Sequence, residues 1–219
     1  MATQEQVAEY EQKWQKTVDH VFSLIDAKDW KKEKSKDSDI EIFLRHDPSS
    51  SFAQIKSFCT INAPLSTVEA VLAKPPYTVD ENTPKDQRDG NIERRFLGKA
   101  GDGADAAGFL YVVLETSSRL VSPREFLSFQ KIAHKDGKVA LVRTSIVNEA
   151  LHGNTKGYVR GNIVFHAFIA EADGDNKTKL TFLGQADPCG SIPAMVYNAI
   201  ASHQGYKVGS IKKEAEGSA

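Results

Sequence analysis

A chain of 219 residues with 40% hydrophobic and 26% charged side chains carries ample apolar surface, which excludes disorder throughout. Its 28 basic and 29 acidic residues leave a net charge of −1, which excludes nucleic-acid binding by bulk positive charge. No run approaches the length of a transmembrane helix, and the polar opening MATQEQVAEYEQKW lacks a signal peptide's layout. A cytoplasmic protein is therefore expected, with Cys59 and Cys189 as reduced thiols.

Val7, Tyr10, Trp14, Val18, Val21, Phe22 and Ile25 recur at spacings of three and four, predicting a helix over the first thirty residues. The lysine-rich stretch 28–36 is interleaved with Asp29 and Glu33 and reads as a solvated connection. Ile40–Arg45 and Phe52–Ile61 read as strands on either side of an Asp47-Pro48-Ser49-Ser50 turn. Pro64 opens a short helix over Leu65–Leu72. Residues 74–90 and the Gly/Ala-rich segment 98–108 read as loops.

The β pattern is then dense: 109–117, 124–133, 138–148, 158–170 and 178–186. Turn residues such as Lys135-Asp136-Gly137 bound the runs, and the links are short, so an antiparallel meander follows. The last element is a helix over Ser191–Lys213, with Ile192, Met195, Val196, Ala199, Ile200 and His203 as its stripe. Gly205 and Gly209 weaken its second half. Terminal helices flanking a long antiparallel sheet make an α+β fold in one domain spanning 1–219, with its core at about 10–213.

Motifs of chemistry are absent from the sequence. The six histidines show no metal spacing, and there is no C-x-x-C pair, G-x-S-x-G elbow, P-loop or G-x-G-x-x-G. Asp102 and Asp105, like Asp173 and Asp175, read as acidic turns. No catalytic residue, metal or cofactor is expected.

The C-terminal third is more specific. Asn176-Lys177-Thr178-Lys179-Leu180-Thr181-Phe182 leads to Asp187-Pro188-Cys189-Gly190-Ser191-Ile192-Pro193 and then Met195-Val196-Tyr197-Asn198. This resembles the end of a START domain (steroidogenic acute regulatory protein-related lipid transfer), where a TKLT strand precedes D-x-x-G-x-(I/L)-P and a helix carrying Asn. Leu120-Val121-Ser122-Pro123-Arg124-Glu125-Phe126 is similar to that family's PRD-(F/Y) strand opening, and Lys156-Gly157-Tyr158-Val159-Arg160-Gly161 to its G-(Y/V)-(V/I)-R strand. The resemblance covers roughly 10–213 and is strongest after 109. It departs in three places. Residues 74–95 lack the Trp of a common Trp-Asp pair. Tyr111 and Gln130 stand where steroid-binding members place a buried Glu/Arg pair. Val113, Phe126 and Val164 stand where choline-lipid members place aromatics.

The resemblance implies a helix-grip fold: a curved antiparallel β-sheet around a long C-terminal helix, enclosing a lipid tunnel. Strand alternation then assigns faces. Tyr111 and Val113 share one face, as do Phe126, Ser128 and Gln130, and as do Asn162, Val164 and His166; the resemblance turns these three faces inward. Keeping Arg143 out of the cavity adds Ile146 and Asn148. Met195, Ala199, Ile200 and His203 complete the expected ligand-binding set from the last helix. His166 equally fits a satisfied core or surface histidine, and Met195 a solid core.

The reading is a non-enzymatic lipid-transfer protein holding one phospholipid or sterol. Its partners would be a lipid ligand and, transiently, a membrane surface, with no nucleic acid; a monomer is expected. Lys207, Lys212 and Lys213 would meet anionic headgroups when the last helix opens. The alternatives are a helix-grip enzyme of cyclase or isomerase type, with His166 and Glu115 as its acid–base groups, and a lipid-sensing interaction module.

Overall fold

The structure, a computed structural model, describes residues 2–88, 90–101, 107–116 and 121–217, with the side chain of Ile200 outside that description. Helix α1 spans Gln4–Ile25. It starts in a capping box: Gln6 N–H donates to Thr3 Oγ1 at 3.2 Å, and Thr3 N–H donates to Gln6 Oε1 at 3.0 Å, satisfying donors that a helix start otherwise leaves open. Its apolar stripe buries Tyr10, Trp14, Val18, Val21 and Leu24.

The strands are β1 (Lys31–Glu33), β2 (Glu41–Arg45), β3 (Gln54–Ile61), β4 (Asn91–Lys99), β5 (Gly108–Leu114), β6 (Arg124–Lys135), β7 (Lys138–Ser145), β8 (Val159–Arg160), β9 (Asn162–Ala172) and β10 (Thr178–Asp187). They form one sheet in the order β1-β2-β3-β10-β9-β7-β6-β5-β4, with β8 pairing parallel to β6. Every other pairing is antiparallel, as short links between consecutive strands require. Asp136 and Gly137, both with positive φ (52° and 72°), form a two-residue hairpin that pairs Lys135 with Lys138.

Both faces of the sheet are covered. The outer face packs Phe109, Tyr111, Val113, Leu127, Phe129 and Val142 against the α1 stripe, and Trp14 Nε1 donates to Val142 O at 3.0 Å. Burying a side chain such as Val18 or Val21 contributes about 1.5–3 kcal/mol. The inner face packs Ile42, Ile55, Leu180 and Phe182 against Val68 and Leu72 of α2 (Leu65–Ala73) and against Ala201 and Val208 of the C-terminal segment.

Four elements differ from expectation. Strand β4 lies where the sequence, Asn-Ile-Glu-Arg-Arg-Phe-Leu-Gly-Lys, is too charged to show alternation, and β1 lies inside the lysine-rich stretch. A short helix α3, Glu149–His152, follows β7. The C-terminal helix is not continuous: α4 (Ala194–Ala201) and α5 (Lys207–Ala215) flank a 3-10 turn at Ser202–Tyr206. The break has a cause at Gly205. Ser57 Oγ donates to Gly205 O at 2.8 Å, and a Cβ at 205 would sit 3.0 Å from Ile42 Cγ1. Sheet and chain approach so closely there that only glycine fits without displacement.

Gly205→Val should therefore destabilise the protein by about 1–3 kcal/mol through overpacking against Ile42. Urea denaturation checks this; an unchanged midpoint would show that the C-terminal turn does not bear on β2.

Candidate ligand-binding site

A cavity of about 110 Å³ opens between the inner face and the C-terminal segment. Val112, Leu114, Phe126, Ile163 and Phe182 form its apolar wall, and Tyr197, Gln204 and Lys207 close it from the C-terminal side. An engineered protein cavity of roughly 150 Å³ takes one benzene, so this one as it stands holds a headgroup-sized fragment. A second groove of about 400 Å³ lies between the start of α1, the end of β4 and Phe109. Ala2, Val7, Leu97, Ala100 and Leu151 are among its described lining residues.

The polar side of the inner cavity is built by cross-strand register. Gln130 pairs with Arg143, and Arg143 with His166, which pairs in turn with Gly184, so Gln130, Arg143 and His166 stand side by side on one face. Arg143 donates from Nε (3.1 Å) and Nη2 (2.8 Å) to Gln130 Oε1. Arg94, on β4, holds its guanidinium 4.4 Å from the centre of the Tyr77 ring and donates from Nη2 to Asn91 Oδ1 at 3.5 Å. Its Nε is buried with no hydrogen-bond partner among the described residues. His166 packs edge-on to Phe182, ring centres 4.7 Å apart, with Lys207 Nζ 3.4 Å from its Nε2.

This is a desolvated cluster of cations. Burial, followed by the nearby Arg94, pushes the Arg143 guanidinium down to about 9. Burial, then Lys207, Arg143 and Arg94, holds the His166 imidazole well below its ordinary range, so it is neutral and accepts from Lys207. Neither Arg94 nor Arg143 has a carboxylate within ion-pair distance among the described residues.

Of the expected ligand-binding residues, Phe126 and His166 line this cavity. Ser128 and Gln130 share that face; Ser128 Oγ donates to Leu110 O at 3.2 Å. Others lie elsewhere. Tyr111 and Val113 belong to the outer core under α1, because Tyr111 pairs with Leu127 and Val112 with Phe126. Ile146 joins the same outer core. Asn148 caps α3 by accepting from Leu151 N–H at 3.0 Å and donates to Tyr10 Oη at 3.1 Å. Asn162 and Val164 are exposed: a bulge sets Gln185 opposite Phe165 and Ala186 opposite Ile163, so Val164 is the extra residue and the alternation flips there. Met195, Ala199 and His203 are exposed, because α4 turns Tyr197 and Ala201 toward the sheet instead. The Ile200 side chain lies outside the described residues.

Sequence reasoning missed Arg94, Arg143, Tyr197 and Gln204, and placed Lys207 at a membrane. A signal for Arg143 was present: an Asp-Gly two-residue hairpin at 136–137 fixes 135 opposite 138, which puts 143 beside 130 on the inward face.

Tyr111 serves a different device. Glu125, fully buried, accepts from Tyr111 Oη at 2.7 Å, Thr155 N–H at 3.1 Å and Arg160 Nε at 3.2 Å. Burial pushes this carboxyl up, and these bonds outweigh it to leave its pKa lowered. Next to it, Arg124 donates to the carbonyls of Pro188 and Cys189, each at 3.0 Å, where Cys189 takes a positive φ of 52°. The Pro123-Arg124-Glu125 and Asp187-Pro188-Cys189-Gly190 motifs are thus two halves of one clamp, which sets the chain's entry into α4.

A family model described as START domain matches residues 12–212. By sequence, no curated protein matches the chain. Among solved structures, human StAR-related lipid transfer protein 5 superposes with a TM-score of 0.76 at 15% identity, covering 96% of this chain and 98% of that one. Human STARD10 gives 0.71 at 16% identity, covering 92% and 78%. A STAR-related lipid transfer protein fragment from Xanthomonas axonopodis gives 0.66 at 17%, covering 85% and 98%.

The depressed His166 pKa carries a pH dependence. The unfolded imidazole, near 6.5, takes up a proton that the folded one refuses. Stability from neutral His166 is therefore complete above that pH and is lost as pH falls below it. The charged groups facing it, Lys207, Arg143 and Arg94, all oppose protonation. The melting temperature of the wild type should fall more steeply below pH 6.5 than that of His166→Gln; parallel curves from thermal scans would contradict this.

Proposed function

The chain belongs to the START domain family, and from that premise we propose that it is a non-catalytic lipid-binding protein that carries one lipid between membranes. The observation that carries this reading is the inner cavity, with its apolar wall of Val112, Phe126 and Phe182 and its C-terminal side formed by Tyr197, Gln204 and Lys207. Its present volume is too small for an acyl chain, so loading requires the C-terminal segment to move away from the sheet.

The attachments of α4 suit that motion. Asn198 Oδ1 accepts from Ala53 N–H at 2.8 Å, and its Nδ2 donates to Ser51 O at 3.0 Å. Tyr197 meets the Phe52 ring edge-on, centres 5.3 Å apart. Two hydrogen bonds and one ring contact form a separable latch. On the other side of α4, Met195 and Val196 are 80% and 51% exposed, an apolar pair suited to a membrane surface. No described helix is long and apolar enough to cross a membrane.

A non-catalytic role is supported by the separation of the acid–base groups an enzyme would use. Glu115 is exposed, while His166 lies inside facing Lys207 and Arg143. The relative of known structure covered at 98% is named a lipid transfer protein, and a cytoplasmic carrier is the form this reading takes.

The test is native mass spectrometry of the purified protein followed by transfer between labelled vesicles. One lipid per chain and transfer above the spontaneous rate are expected. Asn198→Ala, losing two hydrogen bonds of about 1 kcal/mol each, should speed exchange by on the order of tenfold. A disulfide joining α4 to the 46–53 connection should stop it. A protein that binds no lipid and moves none refutes the reading.

A further inference from the structure

The described arginines divide into two groups. Arg45 and Arg160 meet the carboxylates of Asp29 and Glu125, at 2.8 and 3.2 Å. Arg95 pairs with Glu93. Arg88 and Arg124 donate to backbone carbonyls. Arg94 and Arg143 do neither: their acceptors among the described residues are the neutral side-chain amides of Asn91 and Gln130, and Arg94 Nε has no acceptor among them. These two line the same cavity, together with Lys207. That cavity has no carboxylate among its described lining residues.

Taking a guanidinium out of water without an anion is costly, and proteins retain such an arrangement where something compensates it. Here the described residues supply none within ion-pair distance. The vacant guanidinium edge of Arg94 and the fork of Arg143 match an oxyanion, which accepts several charge-assisted hydrogen bonds in one plane. A sterol hydroxyl presents one neutral oxygen, and a choline headgroup brings a cation of its own into a site already positive. Resting on the lipid-binding reading above, we infer that the lipid this cavity takes carries a free acid head, a carboxylate or a phosphate monoester, bound by Arg94 and Arg143.

Two features fit. The Arg143 pKa is pushed down to about 9, the condition an arriving anion would relieve. And the cavity, at about 110 Å³, is headgroup-sized at the point where the cations stand, so the acid seats first and the tail follows the apolar wall.

The test uses the full chain and phosphatidylcholine vesicles that carry, in separate arms, oleic acid, phosphatidic acid, cholesterol or no addition. After re-isolation, bound lipid is quantified by mass spectrometry. Oleic acid or phosphatidic acid should be enriched at least about tenfold over phosphatidylcholine and cholesterol, and the arm that enriches identifies the head. Arg143→Gln and Arg94→Gln should each abolish that preference. Because the substitution removes a half-buried charge that has no carboxylate partner among the described residues, Arg143→Gln should melt no lower than the wild type without ligand, which separates lost binding from lost folding. The His166 imidazole NMR signal should titrate at higher pH once the acid is bound. Equal retention of phosphatidylcholine or cholesterol overturns the inference and leaves lipid binding intact. Retention of no lipid in any arm overturns both.

Discussion

The two-sidedness of the sheet governs the molecule. Every strand of the central five carries apolar residues on both faces, and strand geometry sends alternate side chains to opposite sides. Helix α1 decides which side is which. Its stripe of Tyr10, Trp14, Val18 and Val21 demands a broad apolar surface, and Phe109, Tyr111, Leu127, Phe129 and Val142 supply it. The residues between them are thereby sent inward: Val112, Phe126, Gln130 and Arg143. A shift of one residue in any register would exchange a filled core for a charged one.

This explains what could be read from the sequence and what could not. The meander, α1, the two strands before α2 and the motif order were legible, because periodicity and turn residues mark them directly. The inward face of β6 was legible too. The face of β5 was not, since Phe-Leu-Tyr-Val-Val-Leu is apolar at every position and alternation carries no information there. On β7 the assumption that an arginine must point to solvent overrode the hairpin geometry at Asp136-Gly137. On β9 a bulge at Val164 flipped the phase, and nothing in a run of apolar residues announces a bulge. The C-terminal stripe is displaced by the break at Ser202–Tyr206, which the helix propensity of Gly205 alone does not foretell. Its contacts with Ser57 and Ile42 belong to tertiary packing.

The clamp at Arg124 links the recognisable motifs to the cavity. It fixes the 187–190 turn at the end of β10, from which α4 departs across the cavity mouth. Strong contacts hold the root of the C-terminal segment, while Asn198 alone provides side-chain hydrogen bonds from α4 to the β2–β3 connection among the described residues. Farther on, Lys212 reaches Asp39 at 2.9 Å and Val208 is fully buried, so α5 is anchored as well. Between those anchors α4 crosses the cavity mouth, and the Ser202–Tyr206 turn that follows it is held to the sheet through Ser57 and Ile42.

The same geometry ties access to electrostatics. Lys207 sits directly after that turn, with its ammonium 3.4 Å from His166, so the packing of Gly205 on Ser57 and Ile42 also places one of the cavity's cations. The site gathers Lys207, Arg143 and Arg94 around a neutral imidazole. Like charges there repel more strongly than in water. A bound acid head would offset that repulsion. An acid-headed guest would then do more than fill the cavity: it would reverse the sign of the interaction between the C-terminal segment and the sheet, making the loaded state the one that closes most firmly.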